Sequence, residues 1–189
     1  EAKMVDGKTP GQGMLLHGKV VDEEGNPIAG AVVDIWHADS KGGYSYFDPS
    51  QSAFNLRRRI ETDENGNYTA RSIVPSGYGC PPGGSTIKVL EGLGRHGNRP
   101  AHIHYFVSKA SYKHLTTQIN LSGDKYTYDD FAFATKDELV IDARPIADKT
   151  LIKENGFEDN YFDVEFNICL VKTDKSAAQD MHPRERASQ

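Results

Sequence analysis

An all-β fold, a β-sandwich of mixed topology with long loops and few short helices, is the architecture the sequence predicts. Short β-branched and apolar segments recur along the chain, and Gly, Pro and Asn turns separate them. Helical periodicity is scarce. The 189 residues suit one domain and suffice to bury a substantial core.

Residues 1–13, "EAKMVDGKTPGQG", are polar and loop-like and contain no apolar signal core. The sandwich is expected over residues 14–172. It begins with the strand pattern "MLLHGKVV" at Met14, followed by a turn at Gly25, Asn26 and Pro27. "AGAVVDIWHA" is the next strand pattern. "RRRIETD" and "NYTARSIV" flank Asn65-Gly66, which predicts a hairpin. The turns at Gly25 and Gly66 look alike. "STIKVLEGLG" has room for two helical turns ending at a glycine, and "PIADKTLIKENG" for one short helix. "AHIHYFVS", "LTTQINL" and "YFDVEFNICLV" complete the strands, the last alternating at Phe162, Val164, Phe166 and Ile168. Residues 173–189 are polar and charged, the pattern of a surface tail.

Composition excludes several functions. The net charge is −5, and the longest basic run is Arg57-Arg58-Arg59, so a nucleic-acid surface is not expected. No apolar run is long enough to span a bilayer, so no membrane partner is expected either. Cys80 and Cys169 form no CxxC and no zinc spacing, which predicts free thiols and a cytoplasmic protein.

His102 and His104 stand one residue apart in "RPAHIHYFV". In a strand both point to one face, which is a natural start for a metal site. The competing reading is one hydrogen-bonded core histidine and one exposed one. Two imidazoles are too few for a metal. Asp34, Asp39 and Asp124 are available carboxylates, and two histidines with one carboxylate suit ferrous iron. Tyrosine is the other donor. Tyr44 follows two glycines, and Tyr78 lies between Gly77 and Gly79, which free the backbone to aim the ring into a cleft. Phenols ionise near about 10 and suit divalent metals poorly, whereas a trivalent cation lowers the pKa of a bound hydroxyl. Two tyrosinates and a hydroxide balance Fe(III), and two neutral imidazoles complete five-coordination. Arg99, fixed before Pro100, could stabilise negative charge, or pair with a surface carboxylate. Gln118 could lie beside the metal if its strand pairs with the histidine strand.

Together, "VVDIWHADSKGGYSYFD", "FNLRRRIETDENGNYTARSIVPSGYGCPP", "GRHGNRPAHIHYFVS", "LTTQIN" and "GDKYTYDDFAFAT" resemble the catalytic domain of intradiol ring-cleavage dioxygenases, from about Met14 to Val171. The resemblance implies one Fe(III) per chain, with Tyr44, Tyr78, His102 and His104 as ligands. Tyr44 is chosen over Tyr46 because the family's ligand follows the glycine pair. By the same resemblance Arg99 and Gln118 lie near the reacting ring, and Phe131 and Ala132 line the substrate pocket. The implied reaction takes catechol and O2 to cis,cis-muconate without a reductant, with the counterpart of Tyr78 leaving the iron to accept a catechol proton. Asn98 stands where relatives acting on chlorocatechol or hydroxyquinol tend to carry Trp, which favours unsubstituted catechol. The family's helical N-terminal segment, which supplies its homodimer interface, has no counterpart here, so a homodimer is expected only with that segment. The turns at Gly25 and Gly66 also resemble prealbumin-like sandwich modules, which bind partners without a metal. That alternative leaves the glycine-flanked Tyr78 and the histidine pair unexplained.

Overall fold

The structure, a computed structural model, describes residues 2–173. Beyond Thr173 the expected polar tail lies outside the described residues. The strands are β1 (Ala2–Lys3), β2 (Gly13–Asp22), β3 (Val32–His37), β4 (Arg57–Glu61), β5 (Asn67–Ile73), β6 (Tyr78–Gly79), β7 (Asn98–Arg99), β8 (His102–Ser108), β9 (Leu115–Leu121), β10 (Val140–Ile141), β11 (Arg144–Ile146), β12 (Tyr161–Glu165) and β13 (Ile168–Leu170). Two short helices, α1 (Ser85–Gly92) and α2 (Lys149–Glu154), lie where the sequence places them.

One mixed sheet runs in the order β1-β5-β2-β12-β11, with β13 also paired to β2. The other runs β10-β9-β8-β3-β4, and β6 and β7 form a separate ribbon. Met14, Leu16, Val20, Tyr68, Ala70 and Val164 of the first sheet share one buried core with Val33, Ile35, Ile103, Tyr105, Val107 and Ile119 of the second. Period-two alternation does this sorting: in β8 the odd-numbered residues enter the core and the even-numbered ones face away from it. A smaller cluster of Leu15, Ile152 and Tyr161 packs α2 on the first sheet. The Asp148 carboxylate caps α2 by accepting the Thr150 and Leu151 N–H groups at 2.8 and 3.1 Å.

Two expectations need correction. The Asn65-Gly66 turn forms, but β4 pairs with β3 while β5 pairs with β2, so the turn crosses between the sheets instead of closing a hairpin. The C-terminal strand pattern divides at Phe166 and Asn167 into β12 and β13, both parallel to β2. The likeness of the Gly25 and Gly66 turns is physical. Asp22 accepts the Glu24 and Asn26 N–H groups, Asp63 accepts those of Asn65 and Asn67, and each glycine has positive φ.

Candidate metal centre

Pairing register assembles the centre. Trp36 of β3 lies opposite His104 of β8, which lies opposite Gln118 of β9; His102 lies opposite Asn120. The β6–β7 ribbon sets Tyr78 opposite Arg99, three residues before His102. Tyr44 sits in the turn after β3, where the Asp39 carboxylate accepts the Lys41 and Gly43 N–H groups.

The glycines around Tyr78 have a different role from the one expected. Neither has positive φ. A Cβ at Gly77 would stand 2.5 Å from the Arg99 carbonyl oxygen, and one at Gly42 would stand 2.8 Å from Tyr78 Cβ. Glycine is required there for close approach between the ribbon, its neighbouring strand and the Tyr44 turn.

Four candidate ligand groups converge. His102 Nε2 is 3.1 Å from His104 Nε2 and 3.4 Å from Tyr78 Oη. The Tyr44 ring meets the Tyr78 ring edge-on at 5.4 Å and lies 6.5 Å from that of His104. The Tyr44 hydroxyl is buried without a hydrogen-bond partner, whereas Tyr46 is 68% exposed. The Pro100 carbonyl accepts from His102 Nδ1 at 2.7 Å, so the Nε2 lone pair faces the other groups. Trp36 stacks on the His104 ring at 4.8 Å and fixes its plane.

Burial, reinforced by the Arg99 charge, lowers His102 to about 4. Burial and then His102 lower His104 to about 3. Both imidazoles are therefore neutral near pH 7. Burial and then the Tyr78 hydroxyl raise the Tyr44 phenol well above its ordinary value. Without a strong positive charge beside it, Tyr44 stays protonated and its oxygen unsatisfied. Two neutral imidazoles and an orphaned phenol beside a second phenol fit a trivalent cation.

His37 provides the contrast. It is also buried, yet its Nδ1 donates to the Ala38 carbonyl and its Nε2 accepts from Ser72, each at 2.7 Å. It is a satisfied core histidine with no lone pair to offer.

The carboxylate alternative has no support. Among the described residues no group of three or more His, Cys, Asp or Glu is placed to hold a metal. Asp34 binds Arg59, Asp39 holds the Tyr44 turn, and Asp124 accepts the Ala101 and Tyr126 N–H groups.

Arg99 is 9% exposed and lies within the cluster. Its Nη1 is 3.0 Å from His102 Nε2, its Nη2 donates to Gln118 Oε1 at 2.8 Å, and Asp130 receives Nε and Nη2 at 3.2 and 3.1 Å. Nothing local in the sequence marks Asp130. It lies in the acidic pair Asp129-Asp130, and only the fold shows which member turns inward: Asp130 is 5% exposed. Phe131 and Ala132 attach to the centre indirectly, through Asp130 and Arg99. The Phe131 N–H donates to the Asn98 carbonyl at 3.2 Å, and the Ala132 N–H to Asp130 at 3.0 Å. Phe131 is half-buried and Ala132 exposed. Cys80 and Cys169 are free thiols, and among the described residues no helix is long and apolar enough to cross a membrane.

A family described as dioxygenase matches residues 1–171. The catechol 1,2-dioxygenase of Acinetobacter baylyi is 54% identical over 174 residues, covering 90% of this chain and 56% of that protein. A catechol 1,2-dioxygenase of a Pseudomonas species is 53% identical, covering 92% of this chain and 58% of that protein. The crystal structure of wild-type Acinetobacter radioresistens catechol 1,2 dioxygenase superposes with a TM-score of 0.93 at 49% identity, over 100% of this chain and 62% of that one. The chain thus spans a little over half the length of the curated relatives named here. With the family match over residues 1–171 and these identities over nine-tenths of its length, the chain belongs to the intradiol dioxygenase family.

Proposed function

We propose that this chain is the catalytic domain of an enzyme that cleaves catechol between its two hydroxyl-bearing carbons. Both atoms of O2 enter the product, cis,cis-muconate, so atoms balance without a reductant. One Fe(III) per chain would be held by Tyr44, Tyr78, His102 and His104. The observation that carries this reading is the facing of His102 Nε2, His104 Nε2 and Tyr78 Oη beside the orphaned Tyr44 hydroxyl. The relatives' shared name supplies the substrate. A metal-free binding module, the other reading of the two similar turns, gives these four groups no role.

Ferric iron, when bound, supplies a positive charge that takes up the catechol oxygens and makes the ring reactive toward O2. The protein's own groups do the rest. Tyr78 accepts a catechol proton as its oxygen gives way to the substrate. Tyr44, walled in by burial, remains as the lasting anion. His102 Nε2 has one lone pair, so with that lone pair committed to a bound metal Arg99 Nη1 would be left without this partner. That nitrogen is the one in the guanidinium not tied to Asp130 or Gln118. It becomes free to stabilise negative charge growing on the ring. Phe131 and Ala132 line the substrate side.

The test is metal analysis and visible absorption of the purified full-length protein, with catechol and O2 uptake. One iron per chain, a wine-red colour and equal consumption of catechol and O2 are expected. His102→Ala and His104→Ala each lose the iron. A colourless protein with stoichiometric zinc, or full iron occupancy in both variants, refutes the assignment.

A further inference from the structure

We propose that Asp130 is a positioning residue that sets the Arg99 guanidinium and the Phe131–Ala132 pocket segment relative to one another. The proposal rests on the catechol-cleaving reading of the same site. Hydrogen bonds from two sides of the site meet on this one carboxylate. Two come from Arg99 Nε and Nη2, and another comes from the Ala132 N–H. The carboxylate therefore joins the β7 side of the centre to the pocket side.

The geometry of the fork decides which guanidinium nitrogen faces the reacting groups. Asp130 takes the Nε and Nη2 edge, and Gln118 takes Nη2 again. Nη1 alone is left pointing at His102. A planar fork held along one edge cannot rotate, so the free edge keeps one direction. Without Asp130, Arg99 loses the bonds along one edge and keeps only neutral partners, Gln118 and the His102 imidazole, so its fork is no longer held in one direction.

The same segment is clamped by groups that flank Arg99. Arg95 Nη2 donates to the Phe131 carbonyl at 3.1 Å and its guanidinium lies 4.3 Å from the Phe133 ring. Asn98 Nδ2 donates to Tyr126 Oη at 2.9 Å, and His96 contacts Asp129 at 3.0 Å. These contacts are half-buried or exposed, whereas the Arg99–Asp130 pair is buried, with side chains 11% and 1% exposed. Outer contacts hold the segment to the molecule; the inner pair sets its register on the active groups. A displacement of about 1 Å far from the bonds being made costs about 10²-fold in rate.

The experiment compares Asp130→Asn, Asp130→Glu, Arg99→Gln and the Asp130→Asn/Arg99→Gln pair in the full iron-loaded chain. Iron content, kcat and anaerobic catechol affinity are measured for each. Ala132 amide exchange is followed in the metal-free proteins. Asp130→Asn is expected to keep its iron and lose about 10²-fold in kcat with a smaller change in catechol affinity. Its Ala132 amide exchanges faster. The double variant loses less than the product of the two single losses, because Asp130 acts partly through Arg99 and partly through the segment it ties down. Asp130→Glu keeps the charge but lengthens the arm, so it folds and binds iron yet does not regain the wild-type kcat. Wild-type kcat in either Asp130 single variant overturns the proposal, and so does a double variant whose losses multiply. If the wild-type chain binds no iron or leaves catechol intact, the functional reading fails. Ala132 exchange in metal-free Asp130→Asn then still decides whether Asp130 ties down the segment.

Discussion

His37 lends the fold a pH dependence whose size follows from its surroundings. Burial, the largest effect, lowers its pKa from 6.5 to about 4 against the opposing pull of its bond to Ala38. The folded protein therefore holds it neutral while the unfolded chain takes up a proton below 6.5. The stabilisation is complete above the unfolded value and is lost as pH falls toward the folded one. At about 1.36 kcal/mol per pH unit the full effect is about 3 kcal/mol, of which about 2 kcal/mol is spent between about pH 7.5 and about pH 5. The perturbation is His37→Gln, whose amide can donate to the Ala38 carbonyl and accept from Ser72 but does not titrate. Urea unfolding of metal-free wild type and variant at the two pH values is the assay. With about 2 kcal/mol per molar urea, the wild-type midpoint falls by about 1 M more than that of the variant. Titrating groups that do not interact with His37 are common to both proteins and cancel in the difference; His102 and His104, which couple to it through their charges, leave a smaller residual. Equal midpoint shifts in the two proteins would refute the reasoning.

Tyr78→Phe and Tyr44→Phe separate the two tyrosines. Loss of the Tyr44 oxygen lowers iron retention; loss of the Tyr78 oxygen leaves iron bound, shifts the visible band and slows turnover by about 10²–10⁴-fold. An unchanged spectrum and rate in Tyr78→Phe would show that Tyr78 is neither ligand nor base. Gly77→Ala forces a methyl group against the Arg99 carbonyl oxygen and the Asp124 carboxylate, 2.5 and 2.9 Å from its Cβ. The expected result is partial iron loss and a melting temperature lower by about 5 °C, and native iron content at native stability would contradict it.

The strand order of side chains was legible in the sequence because alternation is local: His102 and His104 share a face whatever their strand pairs with. Which strands pair is not local. The Asn65-Gly66 turn reads as a hairpin, and only the competition of β2 and β3 for β5 and β4 sends its arms to different sheets. Tyr44 and Tyr78 are legible as candidate ligands only through family resemblance, since their spacing from the histidines follows no rule of one element. The glycines beside Tyr78 suggest backbone freedom in the sequence, but they serve close approach to Asn98 and Arg99, which no local pattern reveals. Asp130 was hidden among like charges, and no local pattern distinguishes a carboxylate that turns inward from its exposed neighbour.

The alternation in β8 binds folding and chemistry to a single choice. Ile103, Tyr105 and Val107 enter the core while His102 and His104 face the centre. A slip of one residue in pairing would send both imidazoles into hydrocarbon and the apolar side chains to the candidate metal centre. No misregistered form can therefore retain half of the function. The colour expected of the loaded protein becomes an optical reporter of correct strand registration, readable in a refolding experiment or a variant library without any turnover assay.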